Sequence, residues 1–585
     1  DLNEESVEIA KLSLWLRTAQ PRRKLNDLSS NIKCGNSLID NKTVAGDKAF
    51  NWQEQFHQVF ENGGFDVIIG NPPYLRVQGL RENFEKESIF YEKTFESATG
   101  RFDVYVLFME KSFKLIKKDG IVSFILPHKF LISDFGEGIR GFLVNNKSVE
   151  SILTFGSEMV FADASTYTCI INLSQNNSEI KFKEVKPFDV LNPFDFQITN
   201  YDSLSKDKWN LKSKKIESLF KKLNSQNWTV KDVFENISQG IVSVGDDIFL
   251  MKGFIKGDKF IGYSDKIKKE IILEANIVKP LLKGEDVKKY ASLSNNYFCL
   301  YPHYEKNGKT IPFEENFFIE NYPLAYNYML PFKNELIEKK IRYKTNPKAW
   351  YSLHRSREMS LFEQEKIITP EISLGTNMTI DNSFLYHNTK CYTLAKNKDV
   401  RENYKFWLAI LNSKILWYYL SSTGYVLRGG FFTFKTKYLE PFPLPKLKNI
   451  DNQIPFIQKV NLMLSISKDF LNIENRFQTY LKQKFHLKKL TKKLQNWCDL
   501  DFGDFIKELN KAIKTINKER LIEGLHEIES LTKKDEFEWL DLFEDNKQKA
   551  QELQTQFNQT DKEIDAMVYE LYGLTKEEIE IVENS

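Results

Sequence analysis

The chain has 585 residues, 41% of them hydrophobic, which is enough for packed cores in about three or four domains. Its net charge of +3 excludes a polycation, so any surface that binds an anionic polymer must be local. No apolar run reaches the roughly 18 residues of a membrane span. The five cysteines lack metal-ligand spacing. We therefore expect a cytoplasmic protein with reduced thiols, no metal and no membrane contact.

The chain opens on the pattern of a strand end that runs into a helix. Asp1 and Leu2 precede apolar positions that recur with helical spacing between Glu5 and Leu16. An acid between a strand and a helix is where dinucleotide-type folds bind ribose hydroxyls. The glycine loop that should precede such an acid is missing, and Gly240–Gly245 reads only as turn glycines. We therefore expect a fragment of a longer chain.

Residues Phe65–Tyr74 carry the most informative pattern. Val67–Ile69 is a short β-branched run, which predicts a strand buried on both faces of a parallel sheet. The strand stops at Gly70, and ligands of open α/β sheets bind just beyond such carboxyl ends. Pro72 and Pro73 stiffen the loop that follows.

This loop offers two hydrogen-bond acceptors and an aromatic face. The Asn71 side-chain oxygen and the Pro72 carbonyl can accept from one planar amino group, and Tyr74 can stack on a base. Two acceptors that draw the hydrogens of an adenine amino group out of plane free its lone pair for attack on a sulfonium methyl. The pattern thus predicts methylation of an exocyclic amine without a strong base. The alternative is a turn asparagine after a proline-terminated strand.

Three downstream segments resemble parts of a known family of enzymes. In that family the corresponding segments are the helix after the catalytic loop, the next strand and the segment with a second base-stacking aromatic residue, respectively Gly100–Glu110, Gly120–Pro127 and Phe155–Gly156 with Val160–Thr166. Thr168–Leu173 reads as the closing strand of the domain.

Together these segments resemble the adenine-specific DNA methyltransferases of the TaqI type and the methylase half of type IIG restriction-modification enzymes. The resemblance implies an α/β, Rossmann-like class I methyltransferase domain, S-adenosylmethionine as cofactor and double-stranded DNA as partner, in a restriction-modification or phage-defence system. It also implies that Phe161 stacks on a flipped adenine opposite Tyr74. The expected catalytic residues are Asn71, Pro72, Pro73, Tyr74 and Phe161.

The resemblance further implies a cofactor site. Asp1 would bind the ribose and Leu2 would pack on the cofactor adenine, while Ile32–Leu38 would form the next strand and loop. Asn36 stands where the TaqI enzyme has an acid, and an amide can still pair with an adenine edge. The expected cofactor-binding residues are Asp1, Leu2, Asn36, Ser37, Pro73 and Phe108.

Changes in composition and residue pattern along the chain predict four segments: a methyltransferase domain in 1–178, a linker in 179–227, a recognition domain in 228–445 and a helical region in 446–585. The third has short strands, turns and many aromatic residues. Three landmarks in it, Ile237–Gly240, Pro280–Val287 and Tyr438–Pro445, resemble the mixed α/β target-recognition domain of the TaqI type. In the last segment, Gly573 should end one helix and Thr575 should start another with a capping box.

Two basic and aromatic clusters in 228–445 are candidates for DNA contact. The first contains Arg342, Tyr343, Lys344, Trp350, His354, Arg355 and Arg357, and the second contains Tyr425, Arg428, Gly429, Gly430 and Phe431–Lys435. Lysine and arginine neutralise phosphates, and arginine can read guanine, although a solvated surface charge is the alternative for each member. The expected DNA-binding residues are Arg76, Arg342, Lys344, His354, Arg355, Arg357, Arg428 and Lys435.

Other functions fit parts of the pattern. A protein-glutamine methyltransferase also uses the Asn71–Tyr74 motif but needs no long aromatic-rich domain after it. A catalytically incomplete DNA-binding module would fit the missing cofactor loop. Without that loop, we expect the chain as given to bind S-adenosylmethionine poorly and to be inactive or insoluble by itself. A nuclease domain could lie in the missing N-terminal part of a parent chain, whereas Glu363–Lys366 is only a weak nuclease-like cluster.

Overall fold

A computed structural model describes residues 2–18, 28–156, 158–161, 167–209, 211, 214–293, 295, 297–424, 426–427 and 429–584. The chain divides into two compact units, Asp1–Glu217 and Ser218–Ser585. Among the described helices, none is both long enough and apolar enough to cross a membrane.

The first unit alternates helices with strands. Its helices are α1 (Glu4–Thr18), α2 (Lys42–Ala45), α3 (Trp52–Gln55), α4 (His57–Glu61), α5 (Val77–Asn83), α6 (Glu85–Thr94), α7 (Tyr105–Leu115) and α8 (Glu137–Asn145). Its strands are β1 (Phe65–Gly70), β2 (Ile116–Pro127), β3 (Val149–Thr154), β4 (Thr168–Leu173), β5 (Glu179–Glu184) and β6 (Gln197–Asn200).

These strands form one mixed sheet in the order β1-β2-β4-β3-β5-β6. Strands β1 and β2 run parallel, β4 runs antiparallel to both β2 and β3, and β3 runs parallel to β5. Apolar residues of α7 and α8, among them Met109 and Phe142, form one core with Val122 and Ile171 of the sheet. The predicted α/β class of this unit is confirmed.

Strand β1 is formed as predicted, but the prediction that both its faces are buried is wrong. Val67 is 61% exposed and Ile69 is 81% exposed, whereas Ile68 packs against the core. Alternate residues of a strand point to opposite faces, so Val67 and Ile69 share the uncovered one. A short apolar run predicts a strand without saying which of its faces a neighbour covers.

The segment Ile32–Leu38 was expected to form a strand and loop, and this prediction is wrong as regards the strand. Its only strand-like contact among the described residues is a bridge between Asn36 and Ala49. The Asn36 side chain accepts a hydrogen bond from the Leu38 N–H at 3.1 Å, a local turn that competes with strand pairing.

The second unit begins within helix α9 (Lys214–Asn224) and contains several small sheets. Its strands are β7 (Trp228–Thr229), β8 (Phe234–Gln239), β9 (Leu250–Lys256), β10 (Lys259–Ser264), β11 (Lys269–Glu274), β12 (Val278–Leu282), β13 (Tyr297–Leu300), β14 (His303–Lys306), β15 (Lys309–Pro312), β16 (Lys366–Pro370), β17 (Ile372–Ser373), β18 (Thr379–Asp381), β19 (Tyr386–His387), β20 (Cys391–Lys396), β21 (Val426–Leu427), β22 (Phe431–Thr433) and β23 (Pro443–Leu444). The two larger sheets have the orders β11-β10-β9-β13-β12-β19 and β18-β16-β20-β8.

Helices of the second unit flank these sheets and dominate its C-terminal part. They are α10 (Val230–Val233), α11 (Asp246–Phe249), α12 (Glu315–Asn321), α13 (Pro323–Met329), α14 (Lys333–Arg342), α15 (Tyr404–Leu411), α16 (Lys414–Thr423), α17 (Thr436–Leu439), α18 (Ile454–Lys484), α19 (Lys492–Gln495), α20 (Phe502–Ile522), α21 (Lys533–Leu571) and α22 (Lys576–Glu583). Gly573 follows α21 with a positive φ of 66°, and Thr575 and Glu578 form the predicted capping box of α22. The helical character of this region is confirmed.

Candidate functional site

The loop Asn71–Tyr74 leaves the carboxyl end of β1. Pro72 is buried, whereas Asn71 is exposed. Within the described part of the chain, neither the Asn71 side chain nor the Pro72 carbonyl has a hydrogen-bond partner. Both acceptors that the sequence indicated are therefore without a described donor, and Asn71 is also exposed.

The far end of this loop is fastened to the segment before α7. The Val77 N–H donates to the Phe102 carbonyl at 3.0 Å, and the Val104 N–H donates to the Leu75 carbonyl at 2.8 Å. Val77 and Phe102 are fully buried. The loop is thus held at one end by β1 and at the other by a strand-like pairing with a buried segment.

Two cations lie beside this pairing. The backbone of Arg76 pairs with the backbone of Asp103 in an isolated antiparallel β-bridge. Burial raises the pKa of the Asp103 carboxyl, while the charges of Arg76 and Lys129 act to lower it. The Arg76 residue itself is exposed, as its predicted DNA contact requires.

Tyr74 is half-buried and oriented by a chain of aromatic rings. It meets Tyr105 edge to face at a centroid distance of 6.4 Å, and Tyr105 meets Phe130 at 6.5 Å. The Tyr74 hydroxyl donates a long hydrogen bond of 3.4 Å to the Ile125 carbonyl. Burial raises the pKa of this hydroxyl. The ring is therefore anchored on one side by the core.

Phe161 lies at the same edge of the sheet as the Asn71–Tyr74 loop. The register pairs Gly70 with Phe124, Pro127 with Thr168, and Thr154 with Cys169. The end of β1, the end of β2 and the loop between β3 and β4 consequently meet at one edge. Phe161 belongs to that last loop and is 36% exposed, and the following residues 162–166 lie outside the described residues.

Glu110 supports the site and was not singled out by the sequence analysis. Its carboxylate is fully buried in α7, accepts hydrogen bonds from the Ser97 N–H at 2.8 Å and the Glu96 N–H at 3.3 Å, and pairs with Lys114 at 2.6 Å. The chain passes from Ser97 directly into the segment that pairs with Leu75 and Val77. An acid on an otherwise apolar helix face was the available sequence signal.

The residues expected at the cofactor lie in two neighbouring segments. The Leu2 carbonyl accepts a hydrogen bond from the Cys34 thiol at 3.6 Å, which places it beside the turn that contains Asn36. The Ser37 carbonyl accepts from the Trp52 indole at 2.9 Å, and Asn36 is buried. Asp1 lies outside the described residues.

Helix α7 faces this turn. Burial lowers the pKa of the Lys111 amine, while the charge of Asp40 acts to raise it, so the two groups are close. Phe108 precedes Lys111 by one helical turn and packs partly against the core that contains Leu38. Phe108 is therefore on the same side of α7 as Lys111, whose amine lies near Asp40.

The first basic cluster of the second unit separates into different environments. Trp350 is a core residue whose indole donates to Glu315 at 3.0 Å, so its expected place on a DNA-facing surface is wrong. Arg357 donates through Nε to the Gly240 carbonyl at 3.1 Å. Arg342 and Lys344 are exposed at the end of α14, and Arg355 is also exposed.

Of the second basic cluster, Tyr425 and Arg428 lie outside the described residues. Lys435 lies 3.3 Å from Glu371, which also pairs with Lys390 at 3.4 Å. The turn between β21 and β22 is formed, with both glycines at positive φ. The positive charge of Lys435 is therefore partly compensated by the carboxylate of Glu371.

Glu363–Lys366 is a structural cluster. Lys366 and Asp381 form an ion pair of 2.6 Å in which both side chains are fully buried. Glu363 accepts from Lys279 and from the Tyr386 hydroxyl, each at 2.9 Å. Lys366 is thus tied into a buried ion pair, whereas the Glu363 side chain is 42% exposed and is engaged by Lys279 and Tyr386. These contacts give both groups a structural role.

Three family models match the chain. Residues 1–161 match the Eco57I restriction-modification methylase, residues 279–444 the TaqI-like C-terminal specificity domain, and residues 449–568 a domain of unknown function, DUF8810.

Individual proteins match over both of the first two regions. The chain is 31% identical over 474 residues to the type II restriction enzyme and methyltransferase RM.Eco57I of Escherichia coli, across 76% of this chain and 46% of that protein. It is 28% identical over 470 residues to the type II methyltransferase M.HincII of Haemophilus influenzae, across 74% of this chain and 84% of that protein. The chain therefore spans about half the length of the first relative. The structure of the type IIL restriction-modification enzyme MmeI in complex with DNA matches with a TM-score of 0.43 and 11% identity, across 86% of this chain and 59% of that one.

Proposed function

We propose that this chain, which carries the methylase and the specificity domain of a type II restriction-modification protein, methylates the exocyclic amino group of adenine in duplex DNA, with S-adenosylmethionine as methyl donor. Residues 228–445 would choose the sequence. The match to a DNA specificity domain favours this function over methylation of a protein glutamine, which needs no such domain.

The observation that carries the proposal is the pair of free acceptors at the end of β1. The Asn71 side-chain oxygen and the Pro72 carbonyl belong to a loop anchored at both ends, and no described donor occupies either. Two fixed acceptors can bind both hydrogens of one amino group and localise its lone pair. Such preorganised electrostatics require no reorganisation during the reaction.

An adenine reaches this loop only after leaving the duplex, which costs a few kcal/mol. The Tyr74 ring, held from behind by Tyr105, would stack on one face of the extruded base. Phe161, at the same edge of the sheet, would stack on the other. Both contacts offset the loss of stacking in the duplex.

The residues near Leu2 and α7 have a chemistry that fits an adenosine. Leu2 and Phe108 offer apolar surface, Asn36 offers an amide, and Asp40 offers an exposed carboxylate. S-adenosylmethionine supplies an electrophilic methyl group when bound. Leu2 and Phe108 would bind its adenine ring, and Asn36 and Ser37 would contact its polar edge, while Pro73 of the catalytic loop would adjoin the site.

The test is the Asn71→Ala variant of the full-length protein, with Asn62→Ala as the matched control. Asn62 is an exposed asparagine that donates to Gln58 and has no role in the proposed site. Transfer of a labelled methyl group to duplex DNA should fall at least a hundredfold in Asn71→Ala because one preorganised acceptor is lost. DNA affinity should be unchanged, and the control should match the wild type. Wild-type turnover by Asn71→Ala, or a methylated product other than N6-methyladenine, would overturn the proposal.

A further inference from the structure

The second unit contains a cavity of about 740 Å³ beside the segment that follows α14. A cavity of this size lies in the range of ligand-binding clefts. Charged and polar side chains from four segments line it, among them His303, Lys309, Lys340, His354, Arg355, Arg357 and Glu358.

Two of the cations in its wall are structural. Lys340 is almost fully buried and donates to the Ser352 hydroxyl at 2.7 Å and to the Leu353 carbonyl at 2.9 Å. Burial lowers the pKa of its amine to about 8. Arg357 is held by its bond to the Gly240 carbonyl. Both side chains are engaged in holding the wall together.

The lining of the cavity includes polar atoms that have no partner among the described residues. His303 is only 5% exposed, and its Nδ1 has no hydrogen-bond partner among the described residues. The same holds for Nδ1 of His354. Burial lowers the pKa of His303 to about 3, so this ring is neutral near pH 7, and burial also lowers the pKa of His354. Buried polar atoms of this kind require a partner, such as water or a bound group.

Arg355 and Glu358 are the remaining charged groups on the same segment of the lining. Both are exposed, and in the described part of the chain neither makes a side-chain hydrogen bond or an ion pair. The backbone of Arg355 is nevertheless fixed, because its N–H donates to the Val242 carbonyl at 3.1 Å and its carbonyl accepts from the Val242 N–H at 2.9 Å. The Arg355 guanidinium is thus available for a bidentate contact, and the backbone that carries it is held in place.

The two groups complement one base pair. Arginine donates two parallel hydrogen bonds to O6 and N7 of guanine, and a carboxylate accepts from the N4 amino group of cytosine. A carboxylate that served no such purpose would repel the phosphates of bound DNA.

We propose that Arg355 and Glu358 together read one G·C base pair of the recognition sequence at the mouth of this cavity. The inference rests on the proposed function, since it assumes that the second unit binds DNA.

The experiment maps methylation by the full-length protein on a library of randomised duplexes, for the wild type and for Arg355→Lys, Arg355→Ala and Glu358→Gln. Arg401→Lys and Glu285→Gln are the controls, as exposed residues of the same unit that do not line the cavity. The three cavity variants should lose about tenfold to a hundredfold of the discrimination at one and the same base pair. Arg355→Lys keeps the charge, so its overall DNA affinity should change little.

Several outcomes would overturn the inference. Unchanged preference in the cavity variants would show that neither group reads a base. A uniform loss across all sequences, with a weaker dependence on salt, would show that Arg355 contacts phosphate. If the Arg355 variants lost base preference at one position of the recognition sequence and Glu358→Gln lost it at another, the two residues would not read the same base pair. Failure of the wild type to methylate any duplex would instead refute the proposed function, and is seen before any variant is compared.

Discussion

The backbone N–H of Val104 donates to the carbonyl of Leu75 at 2.8 Å, and through this bond the segment before α7 aligns the end of the Asn71–Tyr74 loop. The bond lies next to the bridge between Arg76 and Asp103. A loop positioned by backbone pairing tolerates changes of its exposed side chains without losing its shape. Substitutions at Asn71 and Tyr74 therefore report on chemistry and base binding.

Replacing Tyr74 should separate stacking from hydrogen bonding. We expect Tyr74→Phe to behave nearly as the wild type, because the hydroxyl makes only a 3.4 Å bond to the Ile125 carbonyl. Tyr74→Ala should weaken binding of the extruded base by about 1–3 kcal/mol. The fluorescence of 2-aminopurine placed at the target adenine measures the extrusion. Equal signals for Tyr74→Ala and the wild type would contradict stacking on this ring.

Glu110 should be important for stability. Glu110→Leu leaves the Glu96 and Ser97 N–H groups without their acceptor, and each buried unsatisfied group costs about 1–3 kcal/mol. Glu110→Gln keeps an acceptor oxygen and should be destabilised less. Urea unfolding followed by circular dichroism measures the difference in free energy. A Glu110→Leu protein as stable as Glu110→Gln would refute the role of the carboxylate.

The buried pair of Lys366 and Asp381 should show strong coupling. Lys366→Met leaves a buried carboxylate without its cation and should cost about 3–5 kcal/mol of unfolding free energy. Asp381 also accepts from the Ser383 and Leu385 N–H groups, which hold its carboxylate in place. The double variant Lys366→Met with Asp381→Asn should be less destabilised than the sum of the single variants. A double-mutant cycle that gives additive effects would contradict the pairing.

Asp565 should make the stability of the second unit depend on pH. Burial raises the pKa of this carboxyl to about 6 from 3.8, although its oxygen accepts from the Lys414 N–H at 2.9 Å and Lys289 lies near. Between these two values the folded state holds more protons than the unfolded state. Stability is therefore highest below pH 4 as far as this group is concerned, and falls as the pH rises through 6.

Asp565→Asn should remove this loss because the amide stays neutral and keeps an acceptor. The stability of the variant relative to the wild type should rise by about 3 kcal/mol between pH 4 and pH 7, at about 1.36 kcal/mol for each unit of pKa. Chemical denaturation at several pH values measures the effect, with the exposed Asp541→Asn as control. A constant difference between variant and wild type over this range would contradict it.

Local signals in the sequence determined the elements that carry the candidate site. The β-branched run and the prolines predicted strand β1 and its loop, the strand Thr168–Leu173 has the predicted bounds, and the capping box of α22 is formed. Each of these depends on neighbours within a few residues, such as turn chemistry, capping or side-chain periodicity. The free acceptors at Asn71 and Pro72 follow from the same local geometry. The roles predicted for the site residues stay predictions.

Tertiary structure alone decided which charged and apolar groups are covered. Val67 and Ile69 are apolar residues of the kind usually found in a core, yet they are exposed. Trp350 and Lys366 lie in polar stretches of the sequence, yet they are buried. Burial depends on partners from other segments of the chain, as with Lys366 and Asp381. A charged side chain is well solvated in water, but its burial costs free energy unless an opposite charge or a hydrogen-bond partner lies beside it. Whether such a partner is present is decided by the assembled fold.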